Sequence, residues 1–156
     1  MKKLLLPSLL LATLSGCTAI PALDSSSPDF QKSMSFEPVQ NKAVLYIYRS
    51  KLSDFQGVTT SVDIGEVELS IFPNCMHRFE LSAGSYNFEP NGIGAFSIED
   101  ELNITMEKGS VNFVELRHES RIAIPNKSSL IKQSKDDANR VLADDELCIV
   151  PIKIVG

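Results

Sequence analysis

From Ala43 to Tyr48 the chain reads Ala-Val-Leu-Tyr-Ile-Tyr, so an extended backbone there presents apolar or aromatic side chains to both of its faces. Such a strand has to lie inside a sheet covered on both sides, because one wet face would leave about half of this surface in water. Later segments alternate instead. In 101–106, Leu102, Ile104 and Met106 share one parity while Glu101, Asn103 and Thr105 take the other; in 85–89, Tyr86 and Phe88 do the same. The parity of the apolar residues switches across Ile64-Gly65-Glu66, which requires a turn. Turns also suit Ala83-Gly84, Asn91-Gly92-Ile93-Gly94 and Lys108-Gly109. Further strands are expected over 58–63, 76–81, 110–117, 121–124 and 148–154. In the last, Cys148, Val150, Ile152 and Ile154 face inward, and Pro151 favours a sheet edge. Short strands with closely spaced turns predict an all-β sandwich or barrel. One helix interrupts them: Ser134 and Asp137 form a capping box, Ala138, Val141 and Leu142 follow at helical spacing, and Asp144 and Asp145 end it.

Ahead of this body stands a different kind of segment. Met1-Lys2-Lys3 and the apolar run 4–14 have the form of a signal peptide, since the run is too short to cross a bilayer as a helix. The following Leu14-Ser15-Gly16-Cys17 resembles the lipobox of bacterial lipoproteins. That resemblance implies cleavage before Cys17, a diacylglycerol on its sulfur and a further acyl chain such as palmitate on the freed amine. Two or three chains together make a stable membrane anchor. Thr18, where an Asp resembles an inner-membrane retention signal, implies the outer membrane and a body facing the periplasm. Residues 18–41 are rich in Ser, Pro, Asp and Gln without a sustained period and read as a flexible tether; packing of Phe30, Met34 and Phe36 as an initial strand is the other reading. The expected organisation is a leader over 1–16, the lipidated cysteine and tether over 17–41, and a β domain over 42–156.

Four short segments of the domain carry a second resemblance. Ala-Val-Leu-Tyr-Ile-Tyr-Arg at 43–49, Val-Asp-Ile-Gly at 62–65, Glu-Leu-Ser-Ala-Gly-Ser-Tyr at 80–86 and Lys-Gly-Ser-Val-Asn-Phe-Val-Glu-Leu at 108–116 resemble a family of bacterial lipoproteins whose domain has no assigned activity. Ile64 stands between the Asp and Gly of that family's turn, and Ala83 stands where it usually has Pro. The resemblance spans about residues 42–147 and implies an immunoglobulin-like β-sandwich and a place in the cell envelope, with no substrate.

The chemistry-bearing residues are few. Fifteen Lys and Arg against 20 Asp and Glu, net −5, speak against nucleic acid and against an anionic lipid surface, and loss of Lys2 and Lys3 with the leader makes the body more acidic still. With Cys17 acylated, Cys75 and Cys148 are an even pair in an oxidising compartment and are expected to bridge; two buried thiols are the alternative. His77 and His118 stand beside Arg78 and Arg117, whose charges oppose imidazole basicity and metal binding, and are expected at the surface. No Gly-x-Ser-x-Gly elbow is present, and the acids at 99–101 and 144–146 read as solvated loops. Asn91–Gly94 lacks the context of a phosphate cradle. Arg49 is the one binding candidate, a strand-end cation beside aromatics that needs a partner. The expectation is therefore a non-enzymatic envelope lipoprotein, without cofactor or metal, that contacts the membrane through its anchor and an envelope protein through its body. A small-ligand or cell-wall binding module is the alternative, and an envelope hydrolase the remotest.

Overall fold

In a computed structural model describing residues 20–155, every position of the first strand is buried, on both parities. In chain order the elements are α1 (Pro28–Met34), β1 (Ala43–Tyr48), β2 (Thr60–Ile64), β3 (Val67–Ile71), β4 (Cys75–Leu81), β5 (Gly84–Pro90), β6 (Ser97–Asp100), β7 (Leu102–Met106), β8 (Val111–Glu119), β9 (Asn126–Gln133), α2 (Lys135–Asp145), β10 (Cys148–Ile149) and β11 (Lys153–Ile154). The large sheet runs β10-β4-β1-β8-β9-β6, with β11 also on β4, and the small sheet runs β3-β2-β5-β7. Most neighbours are antiparallel, but β1 pairs with β8, β6 with β9, and β10 and β11 with β4 in parallel. The chain changes sheets between β6 and β7, at Glu101.

The two parities of β1 serve two cores. Ala43, Leu45 and Ile47 point between the sheets, where they meet Val62, Leu69, Phe88, Met106 and Leu116 among others. Val44, Tyr46 and Tyr48 point to the opposite side, against Phe36, Phe113, Ala138 and Ile149. The molecule therefore has three layers: the small sheet, the large sheet, and a covering of α1 and α2 over the middle of the large sheet's outer face. Burial of this second face is why β1 carries no charged side chain.

The covering layer corrects the tether expectation for the described part of residues 17–41. Ser27 caps α1 by accepting from the Phe30 amide, Pro28 opens it, and Leu23, Phe30, Met34 and Val39 pack around the buried Phe36. Phe36 sits edge-on to the stacked pair Tyr46 and Phe113, at 4.9 and 5.1 Å between ring centres. A polar clasp beneath holds the segment. Buried Arg78 donates to the Lys32 and Glu37 carbonyls, to the Tyr46 hydroxyl and to Glu80, while Tyr46 donates to the Ser33 carbonyl and Lys32 bridges Glu80 at 2.8 Å. Burial opposes ionisation of Glu80, but Lys32 and Arg78 outweigh it and lower its pKa. Phe30, Met34 and Phe36 do pack on the domain, though through a helix and a turn, not a strand.

Other expectations fare unevenly. The turn at Ile64-Gly65-Glu66 is the β2–β3 hairpin, with Gly65 at φ +59°. Ser134 caps α2 by accepting from the Asp137 amide, and Glu146 ends it in the left-handed region. The strand expected at 121–124 is instead the loop between antiparallel β8 and β9, where Ala123 has φ +65° and Pro125 has no amide to donate. The strand expected over 148–154 is split at Pro151 into β10 and β11, and Ile154 faces solvent.

Candidate functional site

Arg49, the predicted binding candidate, is fully buried at the end of β1. It turns back on the chain that follows it: Nη1 donates to the Val58 carbonyl at 2.5 Å, and Nη2 to those of Asp54 and Phe55 at 3.1 and 2.9 Å. Its partners are thus the carbonyls of its own loop, which a sequence pattern does not display. Burial lowers its pKa to about 10, leaving it charged at neutral pH. The loop it gathers includes Phe55 at φ +59°, a conformation that an aromatic residue adopts only when surrounding contacts hold it.

Beside this clamp lies His118. Its Nδ1 is 2.8 Å from the Ser128 hydroxyl and its Nε2 3.2 Å from that of Thr60, and its amide donates to the Ser53 hydroxyl. Burial first, and the Arg49 charge second, lower its pKa to about 4. His77 is also buried: its Nε2 accepts from the Phe72 amide at 2.9 Å, and desolvation lowers its pKa to about 3. Both histidines depart from the expected surface position, because each finds hydrogen-bond partners that strand pairing and the loops bring to it. A hydroxyl at each ring nitrogen of His118 leaves no carboxylate to stabilise an imidazolium, so this ring is a poor general base. Glu115, the nearby buried acid, is engaged by the Ser50 hydroxyl, Arg117 and Gln133 at 2.7, 2.7 and 3.1 Å. Together these contacts tie loop 50–58 to β8 and β9, although the Nε atoms of Arg49 and Arg117 are buried without a hydrogen-bond partner.

The remaining candidates separate. Cys75 and Cys148 are bridged, with Cα atoms 4.4 Å apart, and lie opposite each other in the parallel β4–β10 register. Cys17 lies outside the described residues. Glu99 and Asp100 belong to strand β6 and not to a loop, but they and Glu101 are exposed as expected. Among the described residues, no three His, Cys, Asp or Glu side chains gather as a metal site would require, and no helix is long and apolar enough to cross a membrane.

What sequence reasoning missed lies at the β6 edge of the large sheet. Phe96, Ile98, Ile122 and Ile124 are 79, 47, 97 and 60% exposed. Ala95, Phe96, Ala123, Ile124, Pro125 and Asn126 line an open groove of about 440 Å³. Asn126 assembles it by donating its side-chain amide to the Ile93 carbonyl, its backbone amide to the Phe96 carbonyl, and accepting from the Arg121 amide. The loop 120–125 thereby stands against the start of β6. The expectation of a strand over 121–124 hid this, since the segment is a loop that leaves Ile122 and Ile124 exposed. No protein-family model matches the chain, and no curated protein matches it.

Proposed function

We propose that the chain is a lipid-anchored lipoprotein of the bacterial outer membrane, facing the periplasm, whose sandwich is immunoglobulin-like and acts as a non-enzymatic interaction module. The observation that carries the anchor is Leu14-Ser15-Gly16-Cys17 placed directly behind a short apolar leader. The Cys75–Cys148 bridge suits an oxidising compartment such as the periplasm. Non-enzymatic work is supported by the buried polar groups, whose hydrogen bonds are made to one another and to the backbone. Phe96 and Ile124, 79 and 60% exposed, line one open groove, as a contact surface would.

The anchor is tested by metabolic labelling with a palmitate analogue and by membrane fractionation. The wild type is expected to take the label and sediment with the outer membrane, and Cys17→Ser to lose the label and become soluble. Unlabelled wild type, or Cys17→Ser that still sediments with membranes, overturns the reading. Turnover of cell-wall glycan or peptide substrates by the purified protein overturns the non-enzymatic assignment.

A further inference from the structure

Docking of the segment around α1 shortens the link between the body and Cys17. The Leu23 amide donates to the Ile149 carbonyl, so the chain joins the body at Leu23, six residues after Cys17. Fully extended, six residues reach about 20 Å. A membrane that holds Cys17 therefore lies within that distance of Leu23.

Strand register places Leu23 toward one end of the sandwich. Ile149 pairs with Met76, Met76 with Tyr48, and Tyr48 with Glu115, so all lie at one level across the large sheet. From that level β8 runs on to Glu119, about 13 Å further at 3.3 Å per residue. Because β8 is parallel to β1, β9 antiparallel to β8 and β6 parallel to β9, loops 49–59, 91–96 and 120–125 all emerge at this end. They touch one another: the Asp54 amide donates to the His118 carbonyl, the Ser120 amide to the Asp54 carboxylate, and the Asn126 side chain to the Ile93 carbonyl.

Apolar side chains in water collect on these loops. Leu52, 78% exposed, and Val58 stand in the first, Phe96 in the second, and Ile122 and Ile124 in the third. The turns at the opposite end read Gly65-Glu66, Ser82-Ala83 and Glu107-Lys108-Gly109. The other surface within reach of Leu23 is the covering layer. Among its described residues, 24–42 and 135–147 hold no exposed large hydrophobic, and α2 opens with Asp136 and Asp137.

We infer that the end bearing these loops rests on the membrane that holds Cys17, with Leu52, Phe96, Ile122 and Ile124 inserted among zwitterionic headgroups. This rests on the lipid-anchor reading and adds to it a second, non-covalent contact and an orientation. The loop end, about 13 Å beyond Leu23, occupies most of the roughly 20 Å that the six residues span, which holds the apolar tips at the lipid surface while the anchor is inserted. Acyl chains and a shallow apolar contact together bind more firmly than either alone. The net negative charge of the chain selects zwitterionic over anionic lipid.

Hydrogen exchange tests this, on the acylated protein in vesicles of phosphatidylcholine and phosphatidylethanolamine against Cys17→Ser protein in solution. Exchange in 51–58, 92–96 and 120–124 is expected to slow at least about threefold on vesicles, while 65–66 and 107–110 stay unchanged. Leu52→Ser with Phe96→Ser and Ile122→Ser should abolish the slowing at an unchanged thermal midpoint, since these side chains are exposed in the folded protein. Unslowed loops, slowing at 65–66 and 107–110 instead, or slowing that survives the triple change overturns the inference. So does slowing in dissolved Cys17→Ser protein that grows with its concentration, which makes the occupant a second copy. Slowing that appears only with added phosphatidylglycerol makes the contact electrostatic, and equally overturns it. Intact mass on the same preparation reports acylation of Cys17 separately. If that thiol is bare the anchor reading fails, and the same measurement on protein coupled through Cys17 to a maleimide lipid still decides whether the loops meet the bilayer.

Discussion

Two arginines hold the ends of this structure together through backbone carbonyls. Arg49 draws in loop 50–58, and Arg78 draws in the segment around α1. A guanidinium spreads its donors over two separate Nη atoms, here one to Val58 and the other to Asp54 and Phe55, whereas lysine has a single donor nitrogen. Arg49→Lys is therefore expected to cost about 2–3 kcal/mol, because at least one buried carbonyl loses its donor. Urea unfolding measures this, and a loss below about 0.5 kcal/mol would contradict the clamp. Tyr46→Phe removes the hydroxyl that accepts from Arg78 and donates to the Ser33 carbonyl, at 2.6 and 2.9 Å. It is expected to cost about 1–2 kcal/mol. The sequence points to Arg49, a cation at the end of an apolar and aromatic strand, while Arg78, between His77 and Phe79, shows in the sequence only as a charge beside a histidine.

At the scale of elements, the segment 23–39 behaves as part of the fold because Phe36 is buried there with φ +50°, held by two aromatic neighbours. Phe36→Ala should open a cavity costing about 3–5 kcal/mol and make this segment cleavable by protease before the sheets unfold. Cleavage only together with global unfolding would show that the covering layer is inseparable from the sandwich. Its cap was legible: Ser27, Pro28 and Asp29 are a helix start. The short length of α1 and its Ser-rich approach concealed it. Strand β9 was illegible for another reason. Its inward Ser128 meets His118 instead of hydrocarbon, so Asn126–Gln133 lacks an apolar alternation. At the other end, Cys75→Ser with Cys148→Ser releases β10 and β11 from their staple across 73 residues, and is expected to cost about 2–4 kcal/mol. Hydrogen exchange should accelerate first in 148–155; uniform acceleration would mean that the bridge acts only on the unfolded chain.

For the whole molecule, two buried neutral histidines tie stability to pH. Their folded pKa values, about 3 for His77 and about 4 for His118, lie below the ordinary imidazole value of 6.5. The unfolded chain therefore binds their protons first, and stability falls as pH drops from 6.5 toward 4 by about 1.4 kcal/mol per pH unit for each histidine. Urea midpoints from pH 7 to 4.5 measure the slope, and His118→Gln should roughly halve its histidine part. An unchanged slope in that variant would contradict burial of a neutral ring. Local pattern alone determined much of this protein: the double-faced β1, the alternating β5 and β7, the Gly65 hairpin and the capped α2, because each depends on side-chain period or turn chemistry within a few residues. Tertiary structure decided what covers the outer face of β1, which carbonyls Arg49 holds, that both imidazoles are buried, and that Phe96 and Ile124 line one groove. Those outcomes depend on strand order and on contacts between residues distant in the chain, and neither composition nor periodicity encodes which distant residues will meet.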